Sequence, residues 1–133
     1  MAIGGGEPFI REDLSQLVQY AANRGLSVHI TTAKLDIPLH LLESLCPSIK
    51  NLQLGIQPDA LLGTHSTKSI QQIQNLFTTT QRLGMTAGAN IFLTKSAIEQ
   101  LENLIKILIG IGFNRVILLR YKPPQSVERW RVE

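Results

Sequence analysis

The chain has 133 residues, of which 44% are apolar, 17% charged and 5% aromatic, and it carries a net charge of +3. That length suits one domain of roughly 100–200 residues, and the apolar share, close to the usual ~45–50%, excludes wholesale disorder. Five of the thirteen basic residues, Arg115, Arg120, Lys122, Arg129 and Arg131, follow position 114, so the positive charge is a local C-terminal feature and gives no reason to expect nucleic acid.

Ile3-Gly4-Gly5-Gly6 has the pattern of a strand end running into a glycine turn. Residues 11–24 follow with Leu14, Leu17, Val18, Ala21 and Ala22 on one helical face, Glu12 and Asp13 in the first turn, and Gly25 as the stop. A strand is predicted over 27–31 and a short helix from Pro38 to position 45, ended by Pro47. Residues 51–56 read as the third strand and 57–66 as a loop. Ile70, Ile73, Leu76, Phe77 and Leu83 mark a helix over about 67–83, with Gly84 behind it. A fourth strand spans 86–93. Ser96 and Glu99 have capping-box spacing before the helical series Ile98, Leu101, Leu104, Ile105 and Leu108, which Gly112 stops. A fifth strand covers 116–119, and Pro123-Pro124 blocks further regular structure. Strands alternating with helices predict parallel pairing through right-handed crossovers. The division expected is an αβ domain over 1–122 and a tail over 123–133, in which Trp130 docks on a C-terminal region.

One cysteine, Cys46, builds neither an intrachain disulfide nor a multi-thiolate metal site, and its place beside Pro47 suits packing. The N-terminus lacks the basic start and apolar stretch of a signal peptide. The most apolar window, 101–113, includes Lys106 and two glycines and is shorter than the ~20 apolar residues that span a bilayer. A cytoplasmic protein with no membrane and no nucleic-acid partner is expected.

Parallel strands covered on both faces are apolar throughout. These are not. Leu52, Leu54 and Ile56 share one face of the third strand, and Gln53, Gly55 and Gln57 the other. Val28 and Ile30 oppose His29 and Thr31, and Ile91 and Leu93 oppose Gly88, Asn90 and Thr94. Leaving such groups buried and unpaired costs about 1–3 kcal/mol each, so they are hydrated, bonded to one another, or facing a polar ligand. The fold class this predicts is α/β: a partial (βα) barrel of about five parallel strands, TIM-barrel-like but incomplete, with helices on the outer face and ligands at the strands' C-terminal ends.

Gly4-Gly5-Gly6-Glu7-Pro8 stands at such an end. Glycines let a ligand approach, and Glu7 offers a carboxylate that accepts from an ammonium group and repels a phosphate. Gly5-Gly6-Glu7-Pro8 followed by Phe9-Ile10-Arg11-Glu12-Asp13-Leu14 resembles the second strand and following helix of radical S-adenosylmethionine enzymes. The resemblance continues through residues 25–32, Leu52-Gln53-Leu54-Gly55-Ile56, residues 89–94 and residues 116–123. It implies a (βα)6 part-barrel with a polar lumen. It implies that Gly5, Gly6, Glu7 and Pro8 contact the methionyl end of S-adenosylmethionine, and that Gly55, Gln57 and Asn90 lie near ribose or substrate. It further implies roles for Thr31 and Thr32, where the family carries a Thr-Asn pair, and for Arg120 and Tyr121 at the mouth of the last strand.

The family's C-x3-C-x2-C loop, which ligates a 4Fe-4S cluster, lies upstream of the Gly-Gly-Glu element, and only six residues precede Glu7 here. The expectation is therefore a truncated core: the parent protein cleaves S-adenosylmethionine reductively for radical chemistry on a small-molecule or protein substrate, while this chain ligates no cluster and is inactive alone. A non-catalytic binding or assembly module on the same fold, and a TIM-like enzyme holding a phosphorylated ligand at the glycine turn, stay open. An unpaired sheet edge beside Ile3 predicts self-association. Glu7→Ala is expected to leave stability nearly unchanged. His29, His40 and His65 have no metal spacing. Of the three, His29 is placed in the lumen, His40 on a helix in solvent, and His65 in the loop near the cavity mouth.

Overall fold

The computed structural model describes residues 1–120. Tyr121, Lys122, Trp130 and the 123–133 tail lie outside the described residues. Strand β1 (Ala2–Ile3) leads through the glycine turn to a 3-10 turn (Pro8–Ile10) and helix α1 (Leu14–Asn23). There follow β2 (Val28–Thr32), α2 (Leu39–Leu45), β3 (Ile49–Ile56), α3 (Pro58–Leu62), α4 (Ser66–Arg82), β4 (Thr86–Leu93), α5 (Lys95–Glu99), α6 (Leu101–Ile111) and β5 (Val116–Arg120). The strands lie in the order β1-β2-β3-β4-β5, and every pair is parallel. The sheet curls into a half-barrel, as the alternation of strands and helices predicts.

Side-chain parity decides which face takes the helices. Val28, Ile30, Leu52, Leu54, Ile56, Ala87, Ala89 and Ile91 are buried on the outer face. Leu14, Val18 and Ala21 of α1, Leu42 and Leu45 of α2, Ile73 and Leu76 of α4, and Leu104 and Leu108 of α6 join them in one core. Fully burying each Val, Leu or Ile side chain contributes about 1.5–3 kcal/mol, so this layer holds the fold. At the far edge Ile117 and Leu118 of β5 are each 43% exposed. Among the described residues no helix is long and apolar enough to cross a membrane.

Four local expectations need correcting. Helix α1 starts at Leu14, not at residue 11: Asp13 gives its carboxylate to Arg11, at 2.9 and 2.8 Å, and makes no capping bond. The 57–66 segment is not all loop. Pro58 at the first helical position, Asp59 in the first turn and Gly63 behind it define α3, whose Leu61 is buried where α3 meets α4 and α6. Thr94 rather than Ser96 caps α5, its Oγ1 accepting from Ala97 N–H at 3.1 Å. Ser96 lies inside α5, and the helical run then breaks at Gln100 before α6 begins.

Gly112 closes α6 at φ +122°, and a Cβ there would stand 2.7 Å from Phe77 Cε1. Phe77 is held in turn by an edge-to-face contact with Phe113, centroids 4.8 Å apart. Gly112→Ala combines a disfavoured backbone with overpacking and is expected to cost about 1–3 kcal/mol, read as a lower midpoint in thermal unfolding. An unchanged midpoint would mean that Phe77 yields freely.

Candidate functional site

The inner face has two layers. The lower one, near the strands' N-terminal ends, is a ladder of side-chain amides. Asn51 Oδ1 accepts from Arg115 Nη2 at 2.8 Å and from Thr86 Oγ1 at 2.9 Å. Asn51 Nδ2 donates to Gln53 Oε1 at 3.2 Å, and Gln53 Nε2 donates to Asn90 Oδ1 at 2.8 Å. Gln53 is paired in register with Gly88. A Cβ on Gly88 would lie 2.3 Å from Gln53 Oε1, so the bare glycine lets the Gln53 side chain cross β4. These polar groups are thus bonded to one another, one of the three outcomes the parity allows.

Above the ladder lies a cavity of about 330 Å³ at the strands' C-terminal ends. Gly5, Gly6 and Glu7 after β1, Thr31, Thr32 and Ala33 at the end of β2, and Gly55 in β3 line one side. Asn90 and Phe92 of β4 and Leu119 of β5 line the other. The volume lies at the small end of ligand sites, which run to about 300–1,000 Å³. A second hollow, of about 240 Å³, lies among α2, α4 and the segment after β2, with Asp36 and Arg82 in its wall.

Glu7 is the most constrained group at the mouth. Thr32 continues the outward parity of Val28 and Ile30, so its hydroxyl is buried at the top of the apolar face. Its Oγ1 donates to Glu7 Oε1 at 2.6 Å and accepts from Lys34 N–H at 3.0 Å. Phe9 N–H also donates to Glu7 Oε1, and Ala33 N–H donates to Glu7 Oε2, each at 3.1 Å. A carboxylate has about four lone-pair sites, so these bonds leave one unspent among the described residues, on a side chain that lines the cavity. These three bonds argue against the expectation that Glu7→Ala leaves stability nearly unchanged.

Of the residues singled out in the sequence, Gly5, Gly6, Glu7, Thr31, Gly55 and Asn90 meet around the cavity. Pro8 is buried just behind the rim as the first residue of the 3-10 turn. Gln57 is exposed at the start of α3, and Arg120 is exposed at the end of β5; neither is part of the cavity wall. His29, His40 and His65 are exposed and outside it. Sequence reasoning missed Phe92 and Leu119, although both share the inner parity of Asn90 and Arg115. It also missed the ladder, which depends on pairings across strands.

Among the described residues no group of three or more His, Cys, Asp or Glu could hold a metal ion. The Cys46 thiol is half-buried at the end of α2 and donates to the Glu43 carbonyl at 3.3 Å.

No established family profile matches the chain. Over 121 residues it is 25% identical to the PqqA peptide cyclase of Methylocella silvestris, covering 86% of this chain and 32% of that protein. In fold it is similar to SuiB of Streptococcus suis, with a TM-score of 0.71 and 22% identity over 94% of this chain and 30% of SuiB. SuiB bound to S-adenosylmethionine gives a TM-score of 0.70 at 23% identity, with the same coverage. SuiB bound to its precursor peptide SuiA gives 0.69 at 23% identity, over 91% of this chain and 28% of that one. The chain therefore spans about a third of the length of these relatives. The resemblance to radical S-adenosylmethionine proteins is borne out, and the chain is a partial barrel related to theirs.

Glu7→Ala strands the buried Thr32 hydroxyl without its acceptor and is expected to cost about 1–3 kcal/mol, read as a lower urea midpoint. Adding Thr32→Val should return part of the loss. A midpoint unmoved by Glu7→Ala would contradict the structural role.

Proposed function

We propose that the chain is the S-adenosylmethionine-binding core of a peptide-modifying radical enzyme, with the cofactor seated in the cavity at the strand ends. The observation that carries this reading is Glu7. Thr32 and Ala33 hold its carboxylate at the rim, beside two glycines, with one acceptor site unspent. An ammonium group brings positive charge and three N–H donors, which suits that site. Gly5 turns the chain at φ +101°, and among the described residues no atom beyond the chain neighbours stands within 4 Å of where a Cβ on Gly5 or Gly6 would lie, so the turn leaves room for a ligand. Phe92 and Leu119 offer an apolar wall for a flat base, and Thr31, Gly55 and Asn90 a more polar one for ribose. Gln57 and Arg120 are left to parts of a ligand that extend beyond the rim. Peptide is proposed as substrate class because one relative is named for a peptide and SuiB has been seen with its precursor peptide.

In this family a 4Fe-4S cluster supplies the electron that cleaves bound S-adenosylmethionine. The residues here do not fit one: the sequence holds one cysteine, and its thiol faces a carbonyl on its own helix. The proposal is therefore that these 133 residues bind and orient the cofactor, and that cluster ligands come from outside them. The single cysteine also favours a second reading, a non-catalytic binding module on the same fold. Among the described residues β1 and β5 are the outermost strands, β1 with two residues and β5 with Ile117 and Leu118 exposed, which extends the proposal to self-association.

Calorimetric titration of the chain with S-adenosylmethionine, with inorganic phosphate as control, tests the first reading. Glu7→Gln keeps an acceptor for Thr32 but removes the charge, and is expected to weaken binding about tenfold or more. Binding of phosphate alone, or undiminished affinity in Glu7→Gln, would overturn it. Light scattering across a concentration series tests the second point. A mass that climbs above the monomer is expected, and a monomer at every concentration would contradict it.

A further inference from the structure

The amide ladder has a direction, and one residue sets it. The Arg115 guanidinium offers N–H donors and no acceptor. The Asn51 atom 2.8 Å from its Nη2 must therefore be the carbonyl oxygen. Asn51 then shows its NH2 to Gln53, which must answer with Oε1. Gln53 in turn shows Nε2 to Asn90, which must answer with Oδ1. Each amide has one donor end and one acceptor end, so fixing the first fixes all three.

Water is in no position to scramble this order, because Asn51, Gln53 and Asn90 are only 4%, 6% and 8% exposed. Asn90's one side-chain hydrogen bond among the described residues is the one from Gln53. No buried side-chain nitrogen or oxygen among them lacks a partner, and Asn90 lines the cavity, so its Nδ2 is open there. The cavity consequently has an acceptor at its rim, Glu7, and a donor at its floor, Asn90.

We infer that Arg115 is a positioning residue, acting through Asn51 and Gln53 to hold Asn90 as a hydrogen-bond donor, so that the ligand group at the cavity floor is an acceptor oxygen. That oxygen belongs to a carboxylate or to a ribose. The functional half of the inference rests on the cavity being the S-adenosylmethionine site. The polarity of the ladder does not.

Through-hydrogen-bond nitrogen–carbon coupling in the isotope-labelled chain reads the polarity without ligand. Coupling from Gln53 Nε2 to Asn90 Cγ is expected, lost in Arg115→Met and kept in Arg115→Lys. Coupling in the opposite sense, from Asn90 Nδ2 to Gln53 Cδ, or a ladder indifferent to Arg115→Met, would overturn the inference. Titration with S-adenosylmethionine and with its decarboxylated analogue reads the consequence. Arg115→Met is expected to weaken S-adenosylmethionine about tenfold, with Arg115→Lys near wild type. Loss for both probes assigns the oxygen to ribose, and loss for S-adenosylmethionine alone assigns it to the carboxylate. Undiminished binding of both by Arg115→Met would overturn the functional half. Wild-type chain that binds neither probe would defeat both the cofactor reading and that functional half, while the coupling still decides the polarity.

Discussion

A polar atom removed from water has to find a partner or forfeit about 1–3 kcal/mol, and the concave side of this sheet carries many such atoms. On the convex side Val28, Ile30, Leu52, Leu54 and Ile91 meet the helices, and burial of hydrocarbon settles the matter for all but Thr32. On the concave side the lower amides bond to one another from Arg115 across to Asn90, whose Nδ2 is left open at the cavity. Higher up, Glu7, Thr31 and Asn90 line the cavity. The site is thus where the internal pairing runs out, and its position follows from how far the ladder reaches.

Glu7 links this accounting to the apolar layer. Thr32 is a hydroxyl in a row of hydrocarbon, and it is tolerable there because a carboxylate from the neighbouring strand's exit turn comes down to meet it. The same bonds fix the carboxylate in place before any ligand arrives, which lowers the ordering cost of binding. Support and recognition therefore share one side chain. The ion pairs Arg11–Asp13 and Glu102–Lys106 are more than half exposed on every side chain and contribute little by comparison.

Much of this was legible in the residues. Alternation along 28–31, 52–57 and 88–94 separated the two faces, and Gly-Gly-Glu-Pro marked the mouth. What stayed hidden depended on competition between partners. Asp13 has the right spacing to cap α1 but is captured by Arg11 two residues away. Thr94 and Ser96 are both plausible caps, and only backbone geometry selects Thr94. The helix over Pro58–Leu62 is short enough that its apolar period is one turn, although Pro58, Asp59 and Gly63 together signal it. The ladder joins residues 64 positions apart, from Asn51 to Arg115, and parity alone says nothing of which amide faces which.

The central claim is that ligand binds where the concave face stops pairing with itself. Side-chain amide and carboxylate chemical shifts, followed while S-adenosylmethionine is added to the labelled chain, test it most directly. The account predicts movement at Glu7 and Asn90, with Asn51 and the outer groove at Asp36 and Arg82 unmoved. Movement centred on Asp36 and Arg82, with Glu7 and Asn90 silent, would contradict it.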